Sequence, residues 1–200
     1  MQKERRKDIE TVKPKVYVDT NILRGAISGR TTEDIVFINK AKEKNWEVYT
    51  SIYTLMELLD IAKDRKFLIK SVIDKWIDVA TFLQGRKAKN LSKDDLLELA
   101  SILNNFFLGN KIIKFINIKE TDWELVKKIG ESSNLHSSDV LHLVTAWVGN
   151  CHVLVTHDDE FIKEGNRILQ EENVYNNLRI CNVDKVEATL SEIIPSSENL

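Results

Sequence analysis

The sequence predicts an α/β domain built on a mostly parallel sheet, and three observations lead there. Short β-rich runs alternate with stretches whose apolar residues recur at helical spacing. Two of those runs end close to an acidic residue at a helix start. Two further helical repeats interrupt the alternation in mid-chain, as a hairpin inserted at about residues 66–108.

The first run is Lys15-Val16-Tyr17-Val18, and Asp19-Thr20-Asn21 after it are residues suited to a helix N-terminus, with Ile22, Leu23 and Ala26 facing inward. Residues Glu33 to Lys44 gather Ile35, Val36, Ile38 and Ala41 on one side of a helix. Trp46 to Thr50 then alternates as a strand, and Ser51 leads into a helix carrying Leu55, Met56, Glu57, Leu58, Leu59 and Ala62. A separate helix is expected from Phe67 to Leu83, with Gly85 as its stop. Its partner starts at Ser92, with Asp95 completing a capping box, and runs to Gly109. Alternation resumes with strand Lys114–Ile118 and a helix from Thr121 to Gly130, with Thr121 as its cap and Glu124 closing the box. Ser137-Ser138-Asp139 opens another helix, and His152–Val155 is a strand ending at Thr156.

With 42% hydrophobic and 30% charged residues, the 200-residue chain fits one soluble domain. A chain of this length buries roughly 70% of its unfolded surface, so neither metal nor disulfide is needed to hold the core. We divide it into a charged arm (residues 1–14), a main α/β domain (15–190) and a tail (191–200). The net charge of −2 excludes a strongly basic coat, so any nucleic-acid surface is local. Cys151 and Cys181 lack metal-ligand spacing and read as buried free thiols of a reducing cytoplasm. No run approaches the ~18 apolar residues of a membrane span, and the N-terminus lacks the apolar segment of a signal peptide.

Asp19 and Asp158 each fall just beyond the C-terminal end of a strand, the edge at which open parallel sheets bind ligands. Asp139, in the first turn of its helix, and Glu57 can reach the same edge. Four carboxylates cannot stay ionised together without a counter-charge. A hard-oxygen set without an accompanying His or Cys group favours Mg²⁺ or Mn²⁺. Such ions serve to activate a water and to orient a phosphodiester for in-line displacement.

Each acid also has a plainer reading. Asp19 can simply cap the next helix, worth about 1 kcal/mol, and Asp139 can answer a helix dipole. Glu57 is crowded by Leu55, Met56, Leu58 and Leu59, and burying a lone carboxylate is costly. His142 and His157 read as packing or surface residues and receive no catalytic role. Trp76 and Trp147 read as core. Arg86, Lys87, Lys89 and Lys93 form a basic turn that can contact phosphates if the hairpin folds over the crevice; such turns are usually only solvated.

Val18-Asp19-Thr20-Asn21 after a strand, Glu57 in Thr54-Leu55-Met56-Glu57-Leu58, Ser138-Asp139 with Ala146, and Thr156-His157-Asp158-Asp159-Glu160-Phe161 together resemble the successive signatures of PIN domains. The resemblance spans Val16 to about Phe161. It implies a three-layer α/β/α sandwich, Mg²⁺ or Mn²⁺ dependence, and ribonuclease activity on single strands, as in the toxin halves of toxin–antitoxin pairs. It places the metal-binding acids at Asp19, Glu57, Asp139 and Asp158, and supporting polar groups at Asn21 and Thr156. The Thr-x-Asp-x-x-Phe register selects Asp158 over Asp159. The expectation is thus a cytoplasmic endoribonuclease acting on RNA, homo-oligomeric or bound to an inhibitory protein. A haloacid dehalogenase-type phosphatase would need a second Asp where Asn21 stands. The remaining alternative is a PIN-like module that binds RNA or protein without cutting.

Overall fold

The computed structural model describes residues 12–73, 78, 91–172 and 178–194. Five parallel strands form one sheet in the order β3-β2-β1-β4-β5. They are β1 (Lys15–Val18), β2 (Glu47–Ser51), β3 (Ile113–Ile116), β4 (Val153–Val155) and β5 (Arg179–Cys181). The chain steps outward from β1 to β2 and β3, then returns to the other side of β1 for β4 and β5. The strand order therefore reverses between β1 and β4, where an α/β sheet opens a crevice beyond its carboxyl ends.

Side-chain alternation along the strands explains the layers. Val16, Val18, Val48, Val153, Val155 and Cys181 point to one face, while Tyr17, Leu154 and Ile180 point to the other. The first face is covered by α1 (Thr20–Ser28), α2 (Thr32–Glu43), α3 (Ile52–Leu68), α4 (Lys93–Gly109) and α8 (Val186–Ile193). The second is covered by α5 (Trp123–Ser132), α6 (Ser137–Val148) and α7 (Asp159–Glu171). This is the expected three-layer sandwich. Each fully buried Val, Leu or Ile on these faces contributes about 1.5–3 kcal/mol, so both faces of β1 are committed to core.

The helices that follow β1, β2 and β4 all begin at a polar side chain that accepts a backbone N–H. Asp19 accepts from Thr20, Ser51 from Thr54 at 3.1 Å, and Asp158 from Phe161 at 2.9 Å. The same caps that start the helices thus line the carboxyl edge of the sheet. Gly29 closes α1 at φ +65°, in the left-handed region that a side chain disfavours.

Two local expectations are corrected. The break anticipated between Ala62 and Phe67 does not exist: α3 continues through Leu68 and widens into a π turn at Ile69–Ile73. No glycine, proline or cap interrupts the sequence there, so nothing stops the helix. The second half of the anticipated helix, with Trp76, lies outside the described residues, as do Arg86, Lys87 and Lys89. α4 starts as expected, with Ser92 and Asp95 in a reciprocal capping box. Thr121, by contrast, is not a cap. A short 3-10 turn, Glu120–Asp122, precedes α5, and Asp122 accepts the Lys119 N–H at 2.7 Å.

Cys151 and Cys181 are buried free thiols, and Trp147 packs against the second core face. Among the described residues no helix is long and apolar enough to cross a membrane.

Candidate active site

Thr156, directly after β4, is fully buried, and its hydroxyl is used to its full hydrogen-bonding capacity. It donates to Asp19 Oδ2 at 2.7 Å, and accepts from Asn21 Nδ2 at 2.8 Å and from the Asp158 backbone N–H at 3.1 Å. One side chain thus fastens the end of β1, the first turn of α1 and the turn bearing Asp158. Asn21 Oδ1 reinforces the join by accepting from the His157 N–H at 3.3 Å.

Asp19 is 7% exposed. Besides Thr156, it accepts from the Thr20 N–H through Oδ1, and His142 Nε2 lies 3.3 Å from that same oxygen. Helix capping and placement at the site are therefore simultaneous, not competing, uses of this carboxylate.

Glu57, half-buried in the second turn of α3, is held from two elements. Thr20 Oγ1 donates to its Oε2, and His142 Nε2 lies 3.0 Å away. Burial pushes the Glu57 carboxyl upward, but hydrogen bonds from His142 and Thr20, the neighbouring His142 charge and the Tyr53 hydroxyl outweigh it and hold it below the usual range.

Asp139 has only a long hydrogen bond, from Ser138 Oγ to its Oδ1 at 3.5 Å. Desolvation pushes its carboxyl above the usual value, the charges of Asp19 and Asp158 push it further, and His142 and His136 only partly oppose them. These three acids therefore feel one another. Asp158 is exposed and caps α7, and the neighbouring Asp159 is also exposed. Among the described residues no three His, Cys, Asp or Glu side chains already stand in a metal-ligating arrangement.

His142, read from the sequence as a packing or surface residue on the Asp139 face of its helix, is buried beside Asp19 and Glu57, and its contacts with them were not foreseen. It is 1% exposed on α6, three residues after Asp139, with Tyr17 Oη 2.9 Å from its Nδ1. Desolvation pushes the Tyr17 phenol well above its ordinary value, with Ser51 and Thr54 opposing. The carboxylate of Glu57 can only accept, so Nε2 is the His142 nitrogen that donates to it, while Nδ1 faces the Tyr17 hydroxyl. Tyr53, stacked at a tilt 5.6 Å from the His142 ring, was missed as well. The available signal was the i, i+3 spacing of Asp139 and His142, which puts both on one helix face. Lys93 is exposed at the start of α4.

A parallel sheet whose order reverses beside β1, with Asp19 and Asp158 at its carboxyl edge, defines a class of α/β proteins that bind ligands at that edge. The profile of the PIN domain family matches residues 16–165, and the chain belongs to that family. PIN domains are generally nucleases and typically use divalent metals. Among solved structures, the chain is similar to the crystal structure of VapBC2 from Rickettsia felis bound to a DNA fragment from their promoter. The TM-score is 0.52 at 16% identity, covering 84% of this chain and 98% of that one. At that identity the likeness is one of fold. No curated protein matches the chain.

Proposed function

We propose that the protein is an endoribonuclease that hydrolyses RNA phosphodiester bonds with Mg²⁺ or Mn²⁺ held by Asp19, Glu57, Asp139 and Asp158. The observation that carries this reading is the convergence of like charges. Burial first, and then the charges of Asp19 and Asp158, raise the Asp139 carboxyl, and its surroundings supply no neutralising donor comparable to those at Glu57. The donor set fits a hard divalent cation: the oxygens are carboxylate oxygens, and a positive charge between them relieves the strain on Asp139. The bound cation supplies positive charge to polarise the phosphodiester and to favour attack by water.

The chain's own residues do the rest. Thr156 and Asn21 fix the rotamer of Asp19, as outer partners of metal-binding carboxylates commonly do. His142 and Thr20 fix Glu57. Asp139 and Asp158 face the open edge, where a phosphate can approach. Arg86, Lys87, Lys89 and Lys93 are the proposed RNA contacts.

The reading extends to a toxin-type nuclease with an inhibitory partner protein, acting as a homo-oligomer in the cytoplasm; the VapBC2 structure from Rickettsia felis lends it the fold. The rival reading is a silent PIN-like binding module, favoured by the absence, among the described residues, of a preformed ligating arrangement. Incubating the protein with mixed single-stranded and structured RNAs in Mn²⁺, Mg²⁺ or EDTA separates the two. Metal-dependent cutting lost in both Asp19→Asn and Asp139→Asn is expected. Equal traces of cutting in all three proteins, or none in any, would favour the binding module.

A further inference from the structure

Behind the acid site lies a second buried carboxylate that the proposed chemistry does not use. Asp34 of α2 is 0% exposed. Its Oδ1 lies 2.7 Å from His157 Nε2, while Oδ2 makes no hydrogen bond of sound geometry, with the Thr31 side chain close by. The other ring nitrogen of His157 lies 3.1 Å from Asn182 Oδ1. That oxygen also accepts the Val183 N–H at 2.6 Å, so Asn182 must present its oxygen to the ring. Both partners present oxygen acceptors, so each ring nitrogen that carries a proton donates to one of them, and the imidazole is flanked by α2 on one side and by the turn after β5 on the other.

His157 is the residue between Thr156 and Asp158, and its own N–H is bonded to Asn21. Fixing the ring therefore fixes the one turn that carries Asp158, the Thr156 hub and the Asn21 contact. A buried carboxylate whose second oxygen is poorly satisfied is costly to keep, and a purely packing role would be served better by an apolar side chain. The fit around it is tight. A Cβ at Gly25 of α1 would stand 1.7 Å from Asp34 Oδ2, so this glycine leaves the space that the carboxylate fills.

We propose that Asp34 is a positioning residue for the acid site, acting through His157 and Asn182 to hold the β4–α7 turn in the register that Asp158 and Thr156 need. The proposal rests on the nuclease reading for its catalytic consequence, but its structural content can be tested without it. In Asp34→Ala, amide hydrogen exchange is expected to rise at Asn21, His157 and Asp158 and to stay unchanged at Tyr17 and Val48 in the sheet. With RNA, kcat is expected to fall about 10–100-fold with KM little changed, and Asp34→Asn, which keeps an acceptor for His157, should recover part of the loss. Gly25→Ala, which displaces the carboxylate and crowds Thr31 Oγ1 but leaves His157 and Asn182 unsubstituted, should reproduce the Asp34→Ala pattern by a second route.

Exchange that rises equally in turn and sheet, or that does not change in either variant, would overturn the proposal. So would a full kcat in both. A parent that cuts no RNA would overturn the nuclease reading alone, and the contrast in exchange would still decide for or against the clamp.

Discussion

Thr156 is where the site is most exposed to a single atom. Replacing it by valine keeps shape and branching but removes the hydroxyl. Asp19 then loses a donor, and Asn21 and the Asp158 N–H lose an acceptor. Thr156→Val is expected to lower metal-dependent cleavage about 10–100-fold, whereas Thr156→Ser keeps most of it; steady-state kinetics of the two variants checks this. Part of this network was legible in the sequence. Asp19, Glu57, Asp139 and Asp158 stand out because acids follow strand ends or sit inside apolar helices; the structure joins Asp19 to the Asp158 turn through Thr156, and Glu57 to the first turn of α1 through Thr20. The partners of His142 and Asp34 were not legible. Their meaning depends on contacts across 85 and 123 positions of chain, to Glu57 and His157, which no local pattern encodes.

At the scale of elements, caps were easier to read than helix ends. The Ser92–Asp95 box is a local exchange between neighbours, and it forms as written. Asp95 also receives Lys70 at 2.5 Å from the π turn after α3, so it joins the two arms. Hydrogen bonds from Lys70 and Ser92 hold its carboxyl well below the usual range. A depressed carboxyl contributes stability above its unfolded-state pKa, and that contribution is lost as pH falls through the folded value. Asp95→Asn should therefore lower the melting temperature at pH 7 and shrink the difference from the parent as the pH falls towards 2. A variant whose deficit is the same at pH 7 and pH 2 would contradict this. The continuity of α3 beyond Phe67 and the 3-10 turn before α5 were not legible, because propensity alone places ends poorly where no glycine or proline marks them. β5 has three residues, too few for a period to show.

For the whole molecule, alternation of strand and helix was enough to anticipate a parallel sheet between two helical layers. The strand order, and so the crevice between β1 and β4, comes from long-range pairing. The two cysteines report on both layers at once. Cys151 belongs to the core on one face and Cys181 to the core on the other. Burial pushes their thiols up to about 12 and about 11, so neither offers appreciable thiolate near neutrality. Both should stay unreactive towards a thiol reagent at pH 8 in the native protein. Since the two cores share one sheet, both should become reactive together across a single urea transition that coincides with the loss of helical circular dichroism. One thiol reacting well before the other would show that the layers open independently.

The central claim is that the four carboxylates make a cation site, and a Mn²⁺ binding isotherm on the intact protein, measured beside Asp19→Asn and Asp139→Asn, tests it most directly. The account predicts saturable binding by the parent that is lost or weakened by at least tenfold in both variants, with Mg²⁺ competing. Parent and variants that bind Mn²⁺ equally, or a parent that takes up none, would contradict it.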